Sequence, residues 1–140
     1  MVSLETQSED EAMANKNHDI GVARQIGTYS DAVEVPANAR WLITAGTPGL
    51  GPDGHLPADI TGQAEIAWTH IVACLERAGM TVDNIVKVTQ YLVQPADIPA
   101  YAKVRALFLG GARPASMLLV VPALVRPEFL LEVEVQAARA

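Results

Sequence analysis

The sequence holds few of the residues that announce a chemistry on their own. It has one cysteine, Cys74, in 140 residues, so no intramolecular disulfide can form and a reducing compartment is the expected setting. Aromatic residues make up 5% of the chain and basic residues number 10 against 16 acidic ones, a net charge of −6. A chain of that charge has no general attraction for phosphate backbones and lacks the basic, aromatic-studded surface that nucleic acid needs, so nucleic acid is not an expected partner. His18, His55 and His70 are scattered without metal-ligand spacing, and neither a metal nor another cofactor is expected. No apolar run approaches the ~20 residues of a membrane-spanning helix, and no leader-type apolar segment is present. No membrane partner is expected, and the chain reads as soluble and cytoplasmic. The glycines of residues 46–54 do not follow the phosphate-cradling pattern, and no Gly-x-Ser-x-Gly nucleophile elbow occurs.

What is present is an aliphatic core. Half of the residues are hydrophobic, enough for one domain of this length. The acidity is concentrated at the start: Glu5, Glu9, Asp10, Glu11 and Asp19 oppose Lys16 alone, which leaves the remaining body nearly neutral. Residues 1–18 have almost nothing to bury and are expected to form a disordered acidic tail, with the folded domain spanning 19–140.

Local patterns place the elements. Residues 32–35 alternate and end at Pro36, and 40–45 resume β-type residues, which predicts a hairpin. Residues 46–57 hold four glycines and three prolines and are expected to be a loop. Asp59 is the expected N-cap of a helix over 60–78, with Ala64, Ala67, Trp68, Ile71, Cys74, Leu75 and Ala78 as its apolar stripe and Gly79 as the left-handed stop. A strand follows over 85–93, with Val86, Val88, Gln90 and Leu92 on one face. Asp97 is the expected cap of a second helix, 98–109, buried along Ala100, Val104 and Leu107. Strands over 116–121 and 129–137 close the chain. The predicted class is α+β: a mixed sheet with two helices on one face. The other sheet face is expected to be apolar and to need a second copy of the chain.

Five segments in order resemble the RidA-like (YjgF/UK114) family, over roughly residues 20–138. They are Ile26-Gly27-Thr28-Tyr29-Ser30, Leu42 to Thr47, the helix and strand from Asp59 to Val88, Arg113-Pro114-Ala115-Ser116, and Leu131-Glu132-Val133-Glu134. The resemblance implies a chorismate-mutase-like fold that assembles as a homotrimeric barrel, with small-molecule clefts between subunits. It implies hydrolysis of reactive enamines or imines, such as 2-aminoacrylate, to 2-oxo acids and ammonia. The alternative is a trimer that binds or senses a small ligand without catalysis. An RNA-directed role, claimed for some relatives, is opposed by the acidic charge.

The resemblance also assigns candidate site residues. Glu132 falls on the family's acidic position and would handle protons or orient water; Tyr29 falls on a cleft tyrosine. Gly46 falls on the glycine that ends the family's Thr-Ser-Gly segment. Ser116 stands where the deaminases carry the arginine that grips the substrate carboxylate. A serine hydroxyl supplies no charge, and a charged hydrogen bond is worth ~1.5–3 kcal/mol, so Ser116 counts against ordinary 2-iminoacid deamination. Arg126, in the last connection, is the first candidate to replace that arginine; Arg105, on the second helix, reads as a solvated arginine. Cys74 reads as a small core residue.

Overall fold

The structure, a computed structural model, describes residues 14–140. Its elements are β1 (Lys16–His18), β2 (Ala32–Glu34), β3 (Arg40–Ile43), β4 (Thr47–Pro48), α1 (Ile60–Arg77), β5 (Ile85–Leu92), α2 (Ile98–Leu109), β6 (Ala115–Val120) and β7 (Leu131–Arg139). The main sheet runs β3-β7-β5-β6, with β4 also paired to β7. β5 and β6 are parallel, joined through α2, and every other pairing in this sheet is antiparallel. Both helices pack on one face, as expected for the α+β class.

The first helix follows its sequence signals. The Asp59 carboxylate accepts from Gly62 N at 2.9 Å, a cap worth about 1 kcal/mol, and Gly79 ends the helix at φ +69°. Ile60, Ala64, Ala67, Trp68, Ile71 and Leu75 are buried. Cys74 is not; it is exposed.

The second helix is turned differently from expectation. Tyr101 and Val104 are buried and Leu107 is 84% exposed, so the inward line is not Ala100–Val104–Leu107. Tyr101 is the anchor, because its hydroxyl reaches the buried Gln90 at 2.8 Å. Asp97 makes no side-chain cap; a 3-10 turn, Pro95–Asp97, leads into the helix instead.

Three further expectations are corrected. β2 and β3 do not form a hairpin: β2 pairs with β1 in a separate two-stranded sheet, and β3 pairs with β7. Thus the expected disordered tail does not reach residue 18, since Lys16–His18 pair with Ala32–Glu34 and Asn15 donates to Ala138 O at 2.9 Å. The rest of that expectation, residues 1–13, lies outside the described residues. The supposed loop also contains a strand, because Thr47 and Pro48 pair with Val133 and Glu132.

Alternation sorts the sheet residues by face. Val88, Gln90, Leu92, Leu131, Val133, Val135 and Ala137 are buried under the helices. Lys87, Thr89, Tyr91, Glu132, Glu134 and Gln136 occupy the middle of the opposite face. Its edges carry Trp41 (52% exposed), Ile43 (71%), Met117 (49%) and Leu119 (40%). That face is therefore polar at its centre and apolar only at its margins, not apolar throughout.

The β4 segment lies directly on α1. A Cβ at Gly49 would collide with the Cα and carbonyl oxygen of Gln63. Buried Gln63 donates to Pro57 O and Glu128 O and accepts from Leu130 N at 2.9–3.1 Å, tying α1 to the approach to β7. Gly49→Ala is expected to destabilise the fold by about 1–3 kcal/mol, read as a lower denaturant midpoint; an unchanged midpoint would show that β4 can lift off α1 freely.

Candidate functional site

The sequence candidates fall into two groups. The first surrounds a pocket of about 280 Å³ between β6, α2 and the segment before β2, lined by Gly27, Thr28, Tyr29, Arg105, Leu109 and Ser116 among others. Asp31 organises that segment: its carboxylate accepts from Ile20 N at 2.8 Å and Ala23 N at 2.9 Å. The hydrogen bond from Ile20 is the main reason its pKa lies below the ordinary carboxylate value. Ser30 then ties the segment to β6, its N–H donating to Pro114 O at 3.1 Å and its hydroxyl to Arg113 O at 2.5 Å. Half-buried Tyr29 is thereby set beside Ser116.

Gln90 holds two of the residues that line the pocket, Ser116 and Arg105. It is fully buried. Its Nε2 donates to Ser116 Oγ at 3.1 Å and to Met117 O at 2.8 Å. Its Oε1 accepts from Tyr101 Oη and from Arg105 Nη1, each at 2.8 Å. Trp68 Nε1 donates to Tyr101 Oη at 3.4 Å, which extends the network to α1. Burial drives the Tyr101 pKa well above its ordinary value, partly offset by the Trp68 hydrogen bond and the Arg105 charge. Tyr101 therefore stands as a neutral hydroxyl, donating to Gln90 and accepting from Trp68.

The second group lies on the open sheet face. Glu132 is half-buried on β7, and its carboxylate rests against Gly46: a Cβ at Gly46 would stand 2.8 Å from Glu132 Oε2. A side chain at position 46 would make the carboxylate move from that seat. One step along the strand, Glu134 Oε1 accepts from Tyr91 Oη at 3.1 Å. That hydrogen bond, reinforced by the Glu134 charge, raises the Tyr91 pKa.

These groups do not meet within one copy. Ser116 is in register with Val88, and Val88 with Val135, so the serine belongs to the helix side of the sheet while Glu132 belongs to the open side. Arg126 joins neither group; it is exposed, its guanidinium 5.5 Å from the Phe129 ring centroid. Arg105, read from sequence as solvated, is half-buried in the pocket, and its guanidinium lies 5.5 Å from the Tyr101 ring centroid. The signal that could have found it was Gln90, a lone amide on an otherwise apolar strand face. Among the described residues, no group of three or more His, Cys, Asp or Glu could hold a metal ion, and no helix is long and apolar enough to cross a membrane.

Comparison with known proteins gives consistent matches. Residues 21–139 match the family model described as Endoribonuclease L-PSP. A RutC family protein of Pyrococcus abyssi is 31% identical over 113 residues, 79% of this chain and 86% of that protein. A 2-iminobutanoate/2-iminopropanoate deaminase of Escherichia coli is 32% identical over 84 residues, 59% of this chain and 61% of that one. Among solved structures, a Rid family protein of unknown function from Yersinia pestis superposes with a TM-score of 0.77 at 27% identity, covering 89% of this chain and 98% of that one.

The Asp31 turn generates a pH prediction. A carboxyl whose folded pKa is depressed contributes stability above its unfolded value, and loses it as pH falls through the lower folded value. The amides of Ile20 and Ala23 should stay protected from hydrogen exchange down past the ordinary value of 3.8 and lose protection below it. Asp31→Ala should abolish that protection at neutral pH; equal exchange in variant and wild type would remove Asp31 from the account.

Proposed function

The chain belongs to the Endoribonuclease L-PSP family, the RidA-like proteins, and from that membership we propose that it hydrolyses a small enamine or imine at clefts between copies of itself. The observation that carries this reading is the separation of the site residues. Tyr29 and Ser116 lie at the β6 edge, and Gly46 and Glu132 on the open face, so a second copy is what would bring the two groups to one ligand. A homotrimer is the assembly this reading adopts. The open face suits a partner that covers apolar margins while leaving its polar centre in water.

The chemistry asks little beyond what these groups supply. Water adds to the carbon of the C=N bond, and Glu132 takes one of its protons as general base. That proton passes to nitrogen to give a carbinolamine; Glu132 then carries the remaining hydroxyl proton to the nitrogen as the C–N bond breaks, so that ammonia leaves and the oxygen stays as the carbonyl of the product. Gly46 leaves the carboxylate its seat, and the Tyr29 hydroxyl is available to the ligand or to the attacking water. A trimer that binds without turnover is the second reading; it is favoured by Ser116, whose hydroxyl is tied to Gln90 and brings no charge.

Two measurements test the proposal. Light scattering at micromolar concentration should give the mass of a trimer; a monomer would remove the clefts. The wild type should release ammonia from at least one member of an imine panel that includes 2-aminoacrylate generated in situ. Glu132→Gln should lower that rate by about 10²- to 10⁴-fold with the trimer intact. No turnover across the panel, or full turnover in the variant, would overturn the catalytic reading.

A further inference from the structure

We infer that Arg105, presented from α2 and held by Gln90, is the group that receives the ligand's negative charge in the pocket beside Ser116. It would do so in place of an arginine on the strand. The inference begins with the orientation of α2. Burying Tyr101 rather than Ala100 turns Arg105, one helical turn later, toward the same side. There Gln90 Oε1 takes a single N–H of the guanidinium, at 2.8 Å. Gln90 has no further capacity, because its other contacts go to Tyr101, Ser116 and Met117 O.

The remaining guanidinium donors have no acceptor among the described residues, and no carboxylate there pairs with Arg105. A half-buried cation without a counter-charge calls for an anion. The pocket shows the same bias. In a chain of net charge −6, its lining includes no acidic residue and one charged side chain, Arg105. The Tyr29 and Ser116 hydroxyls line the same space as further polar groups. A volume of about 280 Å³ is at the small end for ligand sites, which fits a short-chain carboxylate. Ser116 then acquires a different meaning: its oxygen is a rest for Gln90, which positions Arg105.

This inference names the ligand class for the function proposed above and rests on that site reading, but binding tests it apart from turnover. Pyruvate and 2-oxobutanoate serve as unreactive probes, with pyruvamide as the uncharged match, measured by titration calorimetry and ligand-observed NMR. Wild type should bind the two acids better than the amide. Arg105→Gln should weaken acid binding by about tenfold or more, the scale of a charged hydrogen-bond pair, and weaken amide binding by less, so that the preference for acid over amide is lost. Arg105→Lys keeps the charge without the fork and should fall between them; it also serves should the glutamine variant fail to fold. Acids binding equally to wild type and either variant would overturn the inference, as would wild type showing no preference for acid over amide. Acid binding through Arg105 without imine turnover would sustain this inference while removing the catalytic one.

Discussion

An amide buried in an apolar layer must find partners for its donors and its acceptor, because each one left unpaired costs about 1–3 kcal/mol. Gln90 is such an amide, fully buried on the helix face of β5, and its partners come from β6 and α2. Through Tyr101 the same network touches Trp68 on α1. The rotation of α2, the inward course of Arg105 and the engagement of Ser116 all follow from satisfying that one side chain. Apolar packing alone would have accepted several settings of α2, since Leu107 and Phe108 are both available; the polar network selects one.

The opposite sheet face obeys a different constraint. Its central strand, β7, presents Glu132 and Glu134 side by side on the same face, and like charges at such spacing repel. They are accommodated by different means. Glu134 takes a hydrogen bond from Tyr91, and Glu132 turns toward the space over Gly46. Of the two, Glu134 is engaged by a protein side chain, and the Glu132 carboxylate makes no side-chain hydrogen bond among the described residues, which leaves its oxygens open to water or a ligand. The glycine is as much a part of this arrangement as the acid.

Much of the architecture was legible from short-range rules. Asp59 and Gly79 bounded α1, the alternation of β5 separated its two faces, and the glycines at 110–111 ended α2. The misreadings share a cause: local pattern describes an element but not its partner. The residues of β2 and β3 look like consecutive strands of a hairpin, yet long-range pairing sends one to β1 and the other to β7. Thr47 and Pro48 look like loop and pair nonetheless, because β7 extends past β3 and offers them its edge. Leu107 satisfies a helical period and still faces solvent, since a period fixes spacing and leaves the rotation of the helix free.

The candidate site divides along the same line. Family-typical residues sit in contiguous segments, so Tyr29, Gly46, Ser116 and Glu132 could be named from the sequence, and with them the family and the α+β class. Their grouping could not. Whether Ser116 faces the helices or the open side depends on the register of β6 against β5, and whether Arg105 meets solvent or the pocket depends on the rotation of α2. Both are decided by contacts between residues far apart in the chain, above all those of Gln90. The sequence by itself therefore determined which residues and elements are present, because those follow from neighbours within a few positions. Only the tertiary structure decided which side chains share a pocket, because that depends on how a buried polar group is satisfied across three elements.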